Sequence, residues 1–271
     1  MLDKPKYWAA GVLKKHPRTW SWVWNILPRI TILLPHDKSY YGFRRLAGGQ
    51  DGLFLDVGAN NGMTAAGFRK LNKKYRILSI EANRNHEPAL RRLKKRIRSF
   101  DYIIAAVGAE HGELRLYTPI YKGISIHTHT SSSRDYLDVS LRRDFTPNVV
   151  DRIVYDEQTV KIIPLDSLNL QPDIVKIDVE GLDYEVLLGM RQTIDKFRPA
   201  IMVEYTPNKT GPIVAFFGER AYDLFTYDEN KRAFVAFDED LGATIWKESG
   251  LQLNIFAIPA ERRHIATGDF R

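Results

Sequence analysis

From residue 52 onward, short apolar runs alternate with stretches of helical period. Leu53-Phe54-Leu55-Asp56-Val57 is nearly continuous in apolar character and is closed by Gly58, which predicts a buried strand. Residues 62–73 place Met63, Ala66, Phe68 and Leu71 where a helix could pack them. Arg76 to Glu81 predicts a second strand. A helix over 86–98 follows, with Asn85 as N-cap, Pro88 in the first turn, and Leu90, Leu93 and Ile97 on one face. Tyr102 to Val107 predicts a third strand. The alternation then lapses. Strands at 112–117 and 160–163 flank a polar segment holding a short helix near 134–142. It resumes with a strand at Asp173 to Val179, a helix at about 183–196, a strand at Ala200 to Glu204, and strands at 222–227, 232–237 and 252–258. Such alternation predicts an α/β fold: a doubly wound, mostly parallel sheet covered on both faces, with an insertion at about 108–165. Ligands of such sheets sit beyond the carboxyl ends of the strands.

Residues 1–45 read differently. Helices are expected around 4–15 and 18–27, divided by His16-Pro17. This stretch holds nine Lys or Arg, two Asp, and four of the five Trp. Its excess of seven positive charges equals that of the whole 271-residue chain, leaving 31 charges of each sign in residues 46–271. The expected organisation is therefore a basic, aromatic, helical extension (1–45) on an electrically balanced domain (46–271). That balance argues against a nucleic-acid surface spread over the protein. The extension has two readings: a cover packed on the sheet or on a second copy in a homo-oligomer, or an interfacial anchor meeting an anionic membrane. The expected location is cytoplasmic, at the inner face of a membrane if the anchor reading holds. With no Cys there is no disulfide framework, thiolate zinc site or Cys nucleophile. No apolar run reaches the roughly 18 residues of a transmembrane helix, and no signal-peptide core follows the first basic residues.

The candidate chemistry starts at Asp56-Val57-Gly58-Ala59-Asn60-Asn61-Gly62, a strand-to-helix turn. Gly58 lets the backbone turn tightly, and Gly62 is expected to let a ligand approach the helix N-terminus. The dinucleotide fingerprint Gly-x-Gly-x-x-Gly is absent, so a nicotinamide enzyme fails, and so is the Lys of a phosphate-binding loop. An acid at the strand end suits an ammonium group. Glu81, at the end of the next strand, can accept both hydroxyls of a ribose. A ligand with a ribose, a cationic amino-acid end and no phosphate is S-adenosylmethionine. Ala82 and Asn83 beyond Glu81, and Ala106 and Val107 at the end of the third strand, complete the expected cofactor-binding set with Asp56, Gly58, Ala59, Asn60, Asn61, Gly62 and Asp178.

The segment from Phe54 to Gly62 resembles motif I of class I methyltransferases, with a Rossmann-like fold. More narrowly, the chain resembles the FkbM family. The resemblance rests on that turn, Ile80-Glu81-Ala82-Asn83, Ile163-Pro164-Leu165-Asp166-Ser167-Leu168, Val175-Lys176-Ile177-Asp178-Val179-Glu180-Gly181, Glu185-Val186-Leu187-Leu188-Gly189-Met190, and Arg198-Pro199-Ala200-Ile201-Met202-Val203-Glu204. It runs in order from about 53 to 205. It implies S-adenosylmethionine-dependent O-methyltransfer to hydroxyls of sugars, glycolipids or polyketide-like products. The alternatives weighed are an RNA methyltransferase and a non-catalytic cofactor-binding protein.

On the acceptor side, Asp178 and Glu180 are two residues apart and share a face if the strand persists. Glu204 ends the next strand, so Asp178 and Glu204 would converge on the cleft. Three roles stay open for these carboxylates. One could take the hydroxyl proton. Asp178 and Glu204 could hold a divalent metal such as magnesium. They could also be structural, capping a helix or holding loop amides. His127 and His129, in the insertion, are candidate bases near neutral pH or members of an exposed polar loop. The run Arg91-Arg92-Leu93-Lys94-Lys95-Arg96-Ile97-Arg98 reads as a solvated helix face.

Overall fold

A computed structural model describes residues 37–49, 51–126, 129–179, 181–206, 209–240, 242–244 and 253–267. Both helices expected before residue 28 lie outside the described residues. In chain order the elements are α1 (Tyr41–Ala47), β1 (Leu53–Val57), α2 (Met63–Leu71), β2 (Arg76–Glu81), α3 (Glu87–Arg96), β3 (Phe100–Ile104) and β4 (Ala106–Val107). Next come β5 (Gly112–Tyr121), β6 (Ile124–Ser125), α4 (Arg134–Asp144), α5 (Pro147–Val150), β7 (Ile153–Ile163) and β8 (Ile174–Ile177). The chain continues with α6 (Asp183–Leu188), α7 (Arg191–Phe197), β9 (Ala200–Tyr205), α8 (Thr210–Gly218), β10 (Tyr222–Asp228), β11 (Ala233–Ala236), β12 (Leu253–Pro259) and α9 (Arg263–Thr267). These residues fall into two compact units, one spanning 113–161 and the other 37–112 with 162–267.

The larger unit is built on an eight-stranded sheet of order β11-β10-β12-β9-β8-β1-β2-β3. The pairs β3–β2, β2–β1, β1–β8 and β8–β9 are parallel. β12 runs antiparallel to both β9 and β10, and β11 antiparallel to β10. Only β11 and β12 therefore oppose the rest, and the sheet is the mostly parallel, doubly wound one the alternation predicts. One face carries Phe54, Ile77, Ile174, Met202 and Phe256, covered by α1, α2 and α3; the other carries Leu55, Val175, Ile177 and Val203, covered by α6 and α8. Phe54 stacks on Phe68 of α2 with ring centroids 3.8 Å apart and planes 4° from parallel.

Three expectations change in detail. Residues 37–45, the last part of the expected extension, pack on this unit and give Tyr40 and Phe43 to its core: Phe43 is wholly buried against Phe54, Phe68 and Phe256. The helix expected over 183–196 is two helices, broken at Gly189-Met190. A Cβ on Gly189 would overlap the carbonyl oxygen of Gly108, so the chain passes too close there for an unbroken helix to carry a side chain. Asp166 then starts α7 afresh, accepting from the amides of Gln192 (3.0 Å) and Thr193 (2.8 Å). Finally, the cap before α3 is Asn83, not Asn85: its side chain accepts from the Asn85 amide and opens a single 3-10 turn at Arg84–His86.

The smaller unit has strand order β7-β5-β6 with α4 and α5, around Ile126, Leu137, Leu141, Phe145 and Val149. Beyond it, Ile162 and Ile163 of β7 pair with β4 inside the larger unit.

Candidate active site

Strand register assembles the site. Asp56 lies beside Ser79 on β2 and beside Lys176 on β8, and Lys176 lies beside Met202 on β9. Two residues further along each strand, on the same face, the register carries Glu81, Gly58, Asp178, Glu204 and Asn254 into a second row. This second row is polar and stands at the carboxyl ends of β1, β2, β8 and β9. Asp178 and Glu204 are neighbours in it.

Lys176 connects the two rows. Its side chain is 2% exposed, yet its ammonium lies 3.1 Å from Asp178 Oδ2 and 3.7 Å from Asp56 Oδ1, and it donates to the Gly58 carbonyl at 3.0 Å. Burial pulls the ammonium pKa down, but Asp178 and Asp56 outweigh it and hold it above the ordinary lysine range. It therefore remains charged. Asp56 is wholly buried, and burial raises its pKa more than Lys176 and the Ser79 hydroxyl (3.0 Å) lower it. The two directions agree with the distances: Lys176 is closer to Asp178, and Asp56 is under-compensated. Asp56 is thus placed beneath the polar row, between Ser79 and Lys176, with no exposed side-chain surface. Asp178, with a side chain 42% exposed, is the open carboxylate.

The turn between β1 and α2 is self-satisfied. The amides of Gly58 and Ala59 donate to the Ile80 carbonyl, Asn60 to Glu81 Oε2, Asn61 to the Asn60 side chain, and Gly62 to the Ala59 carbonyl. Those five amides are all engaged, so the turn presents no ready nest for a phosphate. Gly58 has φ 78°, and a Cβ there would overlap the Asp178 carbonyl. Gly62, at φ 85°, leaves room for Leu90 and Leu93 of α3, whose side chains lie where a Cβ would stand. Glu81 is held from both sides, accepting from the Asn60 amide at 2.7 Å and the Asn83 amide at 2.8 Å. Burial pushes its pKa up to about 7 despite those amides.

A cavity of about 250 Å³ borders Glu204, between the starts of α6 and α8; Asp183, Tyr184, Thr206, Lys209 and Thr210 also line it. Ala82 is half-buried beside Glu81, Asn83 is buried, and Ala106 and Val107 are buried in β4, separated from β3 by Ala105. Glu180 and His127 lie outside the described residues. His129 belongs to the smaller unit, where its Nε2 sits 3.1 Å from Asp144, itself gripped by Arg143. Among the described residues no three His, Asp or Glu side chains converge as metal ligands. The Lys176 ammonium already occupies one side of Asp178, and nothing among the described residues supports a divalent cation at Asp178 with Glu204.

Sequence reasoning assigned no role to Lys176 or to the helical start at 37–40. The signal for Lys176 was available: a charge inside Ile174-Val175-Lys176-Ile177, a central parallel strand buried on both faces, must be paired. Tyr40 shares a hydrogen bond with Thr64 of α2 at 3.0 Å, and Asn254 donates to Asp37 (2.7 Å) and Ser39 (2.9 Å), so this segment borders the polar row.

No curated protein sequence matches the chain. Among solved structures it is similar to an FkbM methyltransferase from Methylobacillus flagellatus, with 15% identity and a TM-score of 0.50 over 85% of this chain and 50% of that one. The chain thus spans about half the length of that protein. It is also similar to a precorrin-6y C5,15-methyltransferase from Geobacter metallireducens (14% identity, TM-score 0.40, 80% of this chain and 87% of that one). A third similarity is to human methyltransferase-like protein 13 (10% identity, TM-score 0.36, 96% and 83%). At 15% identity the likeness to the first of these speaks to the fold alone. The sequence profile described as "Methyltransferase FkbM domain" matches residues 56–224, from the carboxylate that closes β1 into β10, and the chain belongs to the FkbM methyltransferase family.

Proposed function

We propose that this protein is an S-adenosylmethionine-dependent O-methyltransferase acting on a hydroxyl of a sugar, glycan or glycolipid. The observation that carries the reading is the polar row itself. An amide-held Glu81 stands at one end, Asp178 and Glu204 follow, and beside them lies a hollow lined by carboxylates, threonines and one lysine. The residues present fit the cofactor. Each Glu81 oxygen spends one lone pair on an amide and keeps another for a ribose hydroxyl. The engaged amides of the turn suit a ligand without phosphate. When bound, S-adenosylmethionine supplies an electrophilic methyl group on a sulfonium.

The chain's own work is then positional and acid–base. Asp178, steered by Lys176, offers its open carboxylate to the cationic amino-acid end of the cofactor. Glu204, at the wall of the cavity, accepts the proton of the acceptor hydroxyl. The threonines and Lys209 hold neighbouring hydroxyls of a polyhydroxylated acceptor. The test is methyl transfer to a panel of sugars and glycolipids, with S-adenosylhomocysteine affinity measured by calorimetry. Glu204→Gln should lose turnover and keep that affinity; Asp178→Asn should weaken it. Full turnover by Glu204→Gln would remove the base assignment, and transfer only to RNA would overturn the acceptor class.

A further inference from the structure

The neutral balance of residues 46–271 conceals a local excess. Residues 69–101 contain twelve Lys or Arg against three Asp or Glu, a net +9 that exceeds the +7 of the entire chain. The fold gathers both ends of that segment around one hollow. Arg69 and Lys70 from the last turn of α2, Lys73 just after it, and Arg96 and Arg98 from the end of α3 line a cavity of about 500 Å³ over an apolar floor of Ala66 and Ile97. Among the described residues no carboxylate lines it. Of the three acids in the segment, Glu87 is taken by Arg91 (2.7 Å) and Asp101 by Lys94 (2.6 Å), and Glu81 is at the far end of β2. Among the described residues no ion pair reaches Lys70, Lys73, Arg96 or Arg98. The Arg69 guanidinium is fixed by the carbonyl oxygens of Asn72, Lys73 and Tyr75, and its buried Nε has no hydrogen-bond partner among the described residues.

Basic residues in a last helical turn complement the helix dipole, which accounts for one or two of these cations but not for five around a concave surface. The cavity is also separate from the polar row. α2 and α3 run back from the carboxyl edge of the sheet, so their ends lie at its amino edge, about 17 Å along β2 from Glu81.

We propose that this cavity is a binding site for a phosphate-bearing anion, either a soluble oligophosphate or the headgroup of an acidic phospholipid. Guanidinium forks bind phosphate oxygens in pairs, and the lysines add point charges. Among the described residues no aromatic side chain lines the hollow on which a nucleic-acid base could stack.

The test compares the full-length protein with Lys73→Glu/Arg98→Glu and with a control of equal charge change, Arg152→Glu/Lys161→Glu. All four positions are exposed. The probes are tripolyphosphate by calorimetry, and vesicles with or without phosphatidylglycerol by sedimentation, each at two salt concentrations. The wild type and the control should bind a phosphate probe in a salt-dependent way, and the cavity variant about tenfold more weakly. Binding to tripolyphosphate alone identifies a soluble ligand, and binding to phosphatidylglycerol vesicles alone identifies the headgroup. Residues 1–45 are common to all three proteins, so the comparison isolates the cavity. Unchanged S-adenosylhomocysteine affinity verifies the fold, and the milder Lys73→Gln/Arg98→Gln should show the same loss in smaller degree. Equal losses in variant and control, no binding of either probe, or binding of RNA without response to either probe would overturn the proposal.

Discussion

Replacing Lys176 with Met keeps the length of the side chain and deletes its charge. Asp56 is wholly buried, its Oδ1 accepts no hydrogen bond among the described residues, and the Lys176 ammonium is 3.7 Å away. Deleting one partner of a buried ion pair costs about 3–5 kcal/mol, because the other charge is left stranded. Against a total stability of roughly 5–15 kcal/mol, that is a large share. The cost should depend on pH, and its sign follows from linkage. Without Lys176 the Asp56 pKa rises further above its unfolded value. The native state then holds a proton that the unfolded state releases, so stability falls as pH rises from the ordinary carboxyl range toward the raised pKa. Urea denaturation should therefore find Lys176→Met more destabilised at pH 8 than at pH 5. Adding Asp56→Asn removes the stranded charge and should recover most of the loss at pH 8. A cost below about 1 kcal/mol at pH 8, a cost independent of pH, or no recovery in the double variant would refute the ion-pair reasoning.

Other consequences can be measured on the same protein. Glu81 must be ionised to accept two ribose hydroxyls, and its pKa stands at about 7, so S-adenosylhomocysteine affinity should fall as pH drops from 8 to 6. Glu81→Gln should bind weakly and without that slope; a flat wild-type profile would contradict the assignment. The same raised pKa predicts that the stability contributed by protonated Glu81 is complete below about 4.5 and is lost as pH rises toward 7. Gly58→Ala pays about 1–2 kcal/mol for a side chain at positive φ, and it must also displace the Asp178 carbonyl. It should lower the melting temperature and weaken cofactor binding together. Phe43→Ala empties a wholly buried ring site and should cost about 3–5 kcal/mol by urea denaturation, whereas an effect near zero would place residues 41–47 outside the core.

The strands and the β1–α2 turn were legible because their signals are local. A near-continuous apolar run closed by glycine suffices for β1, and Glu81 stands at the end of the next such run. What escaped depends on contacts far apart in sequence. The absence of a side chain at Gly189 answers to Gly108, whose carbonyl passes where a Cβ would stand. The work of Asp56 is set by a lysine on a strand 120 positions later. The core role of Phe43 was masked by the basic residues around it, since composition averages over a segment while burial is decided residue by residue. Charge was misleading for the same reason: a balanced total for residues 46–271 hid the excess at 69–101.

β12 lies between β9 and β10, yet it is the latest of the described strands to leave the ribosome. Forty-seven residues lie between the end of β9 at Tyr205 and the start of β12 at Leu253. At about 5–20 residues per second, β9 waits roughly 2–10 s with one edge unpaired. β10 shares the exposure, and the alternation of the waiting edge is thoroughly apolar, from Ile201 to Val203. A nascent chain of this architecture is therefore most vulnerable to edge-to-edge association just before β12 is made. A stop codon near residue 250 should yield insoluble protein even though it leaves Glu81, Asp178 and Glu204 intact.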